Sequence, residues 1–256
     1  MILKRIGNKA RIAHKIIQYF PPHETYVEPF FGGGGMFFSK PKAKYNIVND
    51  LDSEVFNLYQ VLLADPIGLK REIEMMPYHE DLLRYWKTNK ETDPMRKALR
   101  FLFLSNYTFY GKGETLKVSN QINIKALAVK RVEATYRFLS DVQFLNKDFR
   151  DFLNSIQIRH ANDCLKIFIY CDPPYIGTDN NYLNGFTEQD TIDLFDCLAE
   201  TGCKYAVSEF DNDFILQLAR ERKLNVIYIG ERRNLGNRRT EILITNYYQQ
   251  QSLFFV

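Results

Sequence analysis

Cysteine is scarce in this chain: Cys164, Cys171, Cys197 and Cys203 are the four present, and no two form a C-x-x-C pair. Two of them sit in apolar stretches, which argues against a zinc ribbon or a disulfide scaffold and for free interior thiols. Histidine is also sparse. His14, His23, His79 and His160 are scattered, with no H-E-x-x-H or comparable ligand spacing, so no metal is expected. No apolar run is long enough to span a membrane, and Met1-Ile2-Leu3-Lys4-Arg5 lacks the apolar core of a signal peptide. The expectation is a cytoplasmic chain with no membrane partner. Neither sign of charge dominates: the net charge is +3 over 256 residues, which excludes a nucleic-acid binder of the basic-tail type. The dinucleotide fingerprint G-x-G-x-x-G is missing as well, because Phe37 stands where its last glycine would be. A pyrophosphate cofactor is therefore disfavoured.

What the chain does contain begins with Asp172-Pro173-Pro174-Tyr175, directly after the apolar run Ile167-Phe168-Ile169-Tyr170-Cys171. A carboxylate at the end of a buried strand faces a ligand crevice. Two prolines forbid continuation of helix or strand, leave the Pro173 carbonyl without a ladder partner and hold the Tyr175 ring beside the acid. A carboxylate, a carbonyl and an aromatic face suit a planar base with an exocyclic amine. Both oxygens accept from the amine, draw its lone pair out of conjugation and ready it to attack an activated methyl group.

A second motif lies near the N-terminus. Thr25-Tyr26-Val27-Glu28-Pro29-Phe30 reads as a strand, and Gly32-Gly33-Gly34-Gly35 lets the backbone approach a ligand before a helix expected to start near Met36. Tyr45-Asn46-Ile47-Val48 makes the next strand. It ends at Asn49-Asp50, twenty-two residues after Glu28, an offset at which an acid commonly binds ribose hydroxyls. A glycine loop, a ribose-binding acid and an amine-facing carboxylate make sense together if the cofactor is S-adenosyl-L-methionine, which carries an adenosine and a sulfonium methyl but no phosphate.

The remaining periodicity predicts a helix over 8–19, a helix opened at Ser53 and ended by Asp65-Pro66, two or three helices over 66–107, and a helix over 124–139. Residues 107–115 read as a loop or short hairpin. Strands follow at 142–145, 166–171, 204–207, 224–229 and 241–246, and Thr187-Glu188-Gln189-Asp190 resembles a capping box. The expected fold class is α/β, a mostly parallel Rossmann-like sheet with an inserted, mainly helical domain. The catalytic domain is expected at 1–60 and 141–256, and the insertion at 61–140. Between Pro66 and Arg150 sixteen Lys and Arg face ten Asp and Glu, a basic excess that suits a phosphate backbone. In that insertion Asn106, Tyr107, Phe109, Tyr110, Lys112, Lys117 and Asn120 combine base-edge donors, stacking rings and phosphate partners. Core packing is the competing reading for Tyr107 and Phe109.

These motifs in this order resemble the Dam-like, alpha-group adenine-N6 DNA methyltransferases over nearly the whole chain. The resemblance runs from Gly7-Asn8-Lys9 through Glu28-Pro29-Phe30-Phe31-Gly32-Gly33-Gly34, Asn49-Asp50 and Asp172 to Tyr175, and closes on Arg238-Arg239-Thr240-Glu241-Ile242-Leu243-Ile244-Thr245-Asn246-Tyr247. It implies a cofactor-binding set of Arg5, Gly7, Lys9, Glu28, Phe30, Gly32, Gly34, Asp50, Asp148, Phe149 and Asp172, with Asp148-Phe149 holding the adenine of the cofactor. It implies catalysis by Asp172, Pro173, Pro174 and Tyr175, and S-adenosyl-L-homocysteine as product. The loop Thr178-Asp179-Asn180-Asn181-Tyr182 would close as a lid. Double-stranded DNA is the implied partner, with a cognate restriction endonuclease in a restriction setting. Arg5 and Glu209 depart from the family, whose members often carry an aromatic and an asparagine there.

Cytosine-N4 transfer uses a similar amine and pocket, and residue types alone leave it open. An RNA or protein-amide methyltransferase could share the fold, although relatives acting on glutamine typically begin the motif with Asn in place of Asp172. A catalytically silent DNA-binding module predicts damage to the glycine loop or to Asp172-Pro173-Pro174-Tyr175, and neither is damaged.

Overall fold

Strands and helices alternate at both ends of the chain and helices fill its middle. The order is α1 (Ala13–Ile17), β1 (Thr25–Glu28), β2 (Tyr45–Asn49), α2 (Ser53–Ala64), α3 (Pro66–Met75), α4 (Glu80–Thr88), α5 (Pro94–Asn106), α6 (Ile124–Leu139), β3 (Gln143–Leu145), α7 (Phe149–Asn154), β4 (Ile167–Cys171), α8 (Glu188–Glu200), β5 (Lys204–Phe210), α9 (Asp213–Glu221), β6 (Asn225–Arg233) and β7 (Arg238–Thr245). The computed structural model describes residues 1–3, 7–118, 123–157, 161–176, 185–233 and 238–248. Among them, no helix is long and apolar enough to cross a membrane.

The strands form a seven-stranded sheet in the order β3-β2-β1-β4-β5-β7-β6. β1 runs parallel to β2 and β4, and β4 runs parallel to β5. β7 is antiparallel to both β5 and β6. A parallel strand covered on both faces must be apolar throughout, and all five residues of β4 are buried. Because β1, β2 and β4 run the same way, Glu28, Asn49 and the residue after Cys171 emerge at one edge, where open α/β sheets place their ligands. This is the expected Rossmann-like α/β class, with a strand order that reverses beside β1.

By compactness the chain divides into two units, residues 1–11, 31–40 and 50–146, and residues 12–30, 41–49 and 147–256. This division does not fall at 61 and 140. The first unit takes in α2 and the glycine segment because α2 packs on α5, and the α2 ring of Tyr59 meets Phe31 edge-on at 5.2 Å. Four of its helices, α2, α3, α5 and α6, start where short polar side chains cap first-turn amides: Asp52 accepts from Glu54 N, Asp65 from Gly68 N, Asp93 from Arg96 N and Asn123 from Ala126 N. Pro66 and Pro94 then occupy first-turn positions that need no amide.

Two expected helices are shorter than their periodicity suggested. Residues 8–19 give a 3-10 turn at Lys9–Arg11 and the five-residue α1, since Ile12 leaves helical geometry at φ −113° and ψ 0°. The helix expected near Met36 is a single 3-10 turn, Phe37–Ser39, ended by the extended Lys40 before Pro41.

In the second unit α7 packs against α8, and one arginine links them. Arg150 donates to Asp190 at 2.5 Å and Asp193 at 2.7 Å on α8, and to Asp148 at 3.3 Å. Thr187 and Asp190 complete the expected capping box. Burial pulls the Asp190 carboxyl upward, but hydrogen bonds from Thr187 and Arg150 outweigh it and hold the group below its ordinary value. Hydrogen bonds from Gln189 and Arg150 do the same for Asp193.

Carboxyls lowered in the folded state stabilise it above their unfolded pKa, and that contribution is lost as pH falls through the folded values. Arg150→Gln should therefore lower the thermal midpoint by about 2–4 °C at pH 7. The difference from wild type should persist down to about pH 4 and shrink below it. Thermal scans of both proteins between neutral and acid pH check this, and a pH-independent difference would count against the network.

Candidate functional site

At the carboxyl edge of the second unit, ladder pairing of β4 with β5 ends at Cys171 and Val207. Asp172, Pro173, Pro174 and Tyr175 continue beyond it in irregular backbone. The Pro-Pro step accounts for this, having no amide to donate and no freedom in φ. Pro173 is buried, while Asp172, Pro174 and Tyr175 keep part of their surface exposed. The Tyr175 hydroxyl donates to Glu241 Oε1 at 2.6 Å, and its ring meets Phe210 edge-on with centroids 4.6 Å apart. Burial foremost, then the charges of Asp172 and Glu241, pushes the Tyr175 phenol well above its ordinary pKa. It therefore stays a donor.

Beside this motif β1 delivers Glu28, which is 2% exposed and accepts from the Tyr26 hydroxyl at 2.7 Å. Phe30 then packs in an aromatic trio, 5.6 Å from Phe149 and 5.9 Å from Phe186. Phe149 opens α7, and Asp148 caps that helix by accepting from Arg150 N at 2.9 Å. The Arg150 guanidinium covers the Phe149 ring at 4.3 Å. Thus the second unit brings Glu28, Phe30 and the Asp172–Tyr175 segment to neighbouring strand ends, with Asp148 and Phe149 at the start of α7 against Phe30. Phe186 and Glu241 were not singled out from the sequence. Glu241 lies inside the closing strand motif, but nothing there signals a partner 66 residues away.

The first unit gathers the other motifs. Gly32 (φ +52°) and Gly34 (φ +71°) turn the loop through left-handed conformations. The Gly32 amide donates to Asp50 Oδ2, and Asp50 Oδ1 accepts from Asp52 N at 2.8 Å. A Cβ on Gly35 would lie 2.0 Å from the Asn8 side chain, so this glycine is needed where the segment around Lys9 crosses the loop. Lys9 is itself buried, at 3% exposure. Among the described residues a Cβ at Gly7 or Gly32 would meet nothing within 4 Å, so the backbone at these two positions borders open space. Asp50 is thus a brace for the loop whose carboxylate accepts at both oxygens. A carboxylate has about four lone-pair sites, so this does not preclude a ligand.

Two expected DNA contacts are interior. Asn106 is 6% exposed and donates to the Ile2 carbonyl at 2.8 Å; Tyr107 is 1% exposed and stacks on Phe103 at 5.5 Å. Both continue the buried face of α5, so packing is their role, as the competing reading for Tyr107 had it. The hairpin beyond them forms, with an isolated bridge between Thr108 and Leu116. It presents Phe109 at 48% and Tyr110 at 60% exposure, and Lys112 is exposed as well. Lys117 is half-buried. Arg5, Asn120 and the expected lid, residues 178–182, lie outside the described residues.

A family model described as D12 class N6 adenine-specific DNA methyltransferase matches residues 6–235. The chain is 28% identical over 254 residues to the retron Ec67 DNA adenine methylase of Escherichia coli, covering 92% of this chain and 85% of that one. It is 25% identical over 281 residues to the type II methyltransferase M1.LlaDCHI of Lactococcus lactis subsp. cremoris, covering 94% and 93%. The modification methylase StsI of Streptococcus sanguinis is also 25% identical over 96% of this chain, which spans 42% of that protein's length.

The glycine loop offers a direct check. A Cβ at Gly34 would stand 2.6 Å from Phe38 and 2.7 Å from Phe31, in a backbone conformation that L residues avoid. Gly34→Ala should cost about 2–4 kcal/mol, combining left-handed strain with overpacking. Denaturant titration measures it, and a change under about 0.5 kcal/mol, the usual range for surface substitutions, would contradict the packing described.

Proposed function

From the premise that this chain belongs to the D12 class N6 adenine-specific DNA methyltransferase family, we propose that it transfers the methyl group of S-adenosyl-L-methionine to N6 of an adenine turned out of duplex DNA. S-adenosyl-L-homocysteine is the second product. The observation that carries this reading is the Asp172–Tyr175 segment, running past the last ladder pair of β4 with its tyrosine clamped at ring and hydroxyl.

The residues fit the cofactor. In the first unit the acceptor-only carboxylate of Asp50 suits a ribose diol and the glycine loop borders open space at Gly32; in the second the rings of Phe30 and Phe149 suit an adenine. When bound, the cofactor supplies a methyl group on a sulfonium, already an excellent leaving group. What remains for the protein is positioning. Asp172 and the Pro173 carbonyl accept from the two N6 protons, which frees the nitrogen lone pair for in-line attack. Tyr175 stacks on the extruded base, replacing the stacking lost from the duplex. The amine nitrogen becomes acidic once it is methylated and sheds its extra proton to the Asp172 carboxylate it donates to, and from there to water, so no strong base is needed. The cytosine-N4 alternative yields to adenine on the family match.

Duplex DNA is engaged through the hairpin that exposes Phe109, Tyr110 and Lys112, with Lys117 at its foot. In a restriction setting the second partner is a cognate endonuclease, a reading supported by the relative named a modification methylase.

Two experiments test the proposal. Asp172→Ala should keep the fold and lose about 3 kcal/mol or more of transition-state stabilisation. Transfer of labelled methyl to duplex DNA, followed by nucleoside analysis for N6-methyladenine, measures it. Activity within a few-fold of wild type would remove Asp172 from the site. Replacing Lys112 and Lys117 with Ala should weaken DNA binding for every sequence and reduce the salt-dependence slope by about two, without changing cofactor affinity. A wild-type slope would move the DNA surface elsewhere.

A further inference from the structure

Glu241 is fully buried, at 0% exposure, yet it is a carboxylate in the middle of β7. Burying a charge is costly unless the site supplies hydrogen bonds. One of its bonds runs to the Tyr175 hydroxyl, at 2.6 Å, a length typical of a charge-assisted O–H···O bond. Phe210 is the register partner of Glu241 on β5, and it supplies the ring that Tyr175 meets edge-on at 85°. Arg239, two residues before Glu241 on the same strand, holds its guanidinium 5.4 Å from the centroid of that Phe210 ring. Tyr175 is therefore fixed at its far end by β7 and along its ring by β5.

We propose that Glu241 is a positioning residue for adenine capture: it sets the angle of the Tyr175 ring through the phenol hydroxyl and never touches the substrate. A ring on two soft side-chain torsions would have to be ordered each time a base arrived. Held at both ends, it presents a stacking face in advance, so less of the binding energy is consumed in ordering it. The inference rests on the reading that Tyr175 stacks on the target base.

A merely structural Glu241 would affect folding without acting through Tyr175, and Tyr175→Phe separates the two because it removes the same bond without altering β7. The experiment compares Tyr175→Phe, Glu241→Gln, Glu241→Leu and the double variant Tyr175→Phe/Glu241→Leu. Each is assayed for kcat and KM on a duplex oligonucleotide whose target adenine is unmethylated, and for fluorescence of 2-aminopurine placed at that position. Tyr175→Phe and Glu241→Leu should each lower kcat/KM about tenfold, the value of one hydrogen bond to a charged group. The double variant should lose no more than either alone, since contacting residues in one network are not additive. Glu241→Gln keeps an acceptor and should lose less. The 2-aminopurine signal should shift alike in Tyr175→Phe, Glu241→Leu and the double variant. Losses that multiply to about a hundredfold, or a loss in Glu241→Leu with none in Tyr175→Phe, would overturn the proposal. Tyr175→Ala is the separate control: wild-type turnover there would sink the stacking reading itself, and the role of Glu241 with it.

Discussion

The carboxamide of Asn49 is the group on which the carboxyl edge of the second unit depends. Its Nδ2 donates to the Pro29 carbonyl at 3.1 Å and the Lys147 carbonyl at 2.9 Å, while its Oδ1 accepts from Lys147 N at 3.0 Å. One side chain thereby joins the exit of β1, the end of β2 and the lead-in to α7. The Pro29 carbonyl would otherwise be left polar and buried at a cost of about 1–3 kcal/mol. The amide can satisfy a carbonyl and an amide of the same residue at once, which no apolar residue and no carboxylate could do. Through that link Phe30 and Phe149 arrive on one side of the sheet edge with their rings in contact.

The interior behind Asp172 is unusually polar. Tyr26 pairs with Glu28, Tyr175 with Glu241, and the Tyr170 hydroxyl lies 2.8 Å from Ser208 Oγ. Glu209 turns its carboxylate back to accept from the Phe210 amide at 2.8 Å. Burial leads the upward displacement of the Tyr26 and Tyr170 phenols, and neighbouring carboxylates add to it. Hydrogen bonds in a low-dielectric interior are strong and directional. Such a layer resists small rotations better than a greasy one would, a useful property beneath a segment whose prolines have given up ladder bonding.

Much of this was legible in the sequence where local chemistry and tertiary demand coincide. α6 occupies the stretch its apolar spacing marked, Ile124–Leu139, and the Thr187 box opens α8. α7 and α9 escaped notice because they are short, six and nine residues, and start at Asp148 and Asn212, residue types that read equally as turns. Asn106 and Tyr107 were misjudged by residue type. The spacing of Leu99, Leu102, Phe103 and Asn106 already placed Asn106 on the buried face of α5, a signal stronger than its capacity to read a base. The division into units was less accessible, because it depends on α2 packing against α5, a contact that no local pattern announces. Glu241 is the plainest case. Following Arg238-Arg239-Thr240, the acid reads as the last of a polar strand start before Ile242-Leu243-Ile244, and only the fold reveals that it is buried against a phenol.

Cys171 stands immediately before the candidate acid and is fully buried. Burial first, and then the charges of Glu28 and Asp172, drives its thiol well above the ordinary range. A pocket that handles an activated methyl group must not offer it a better nucleophile than the one intended, and a thiolate would be far better than an aromatic amine. Burial above all keeps this sulfur protonated and enclosed, so the strand that leads into Asp172 carries no thiolate for an activated methyl group to alkylate.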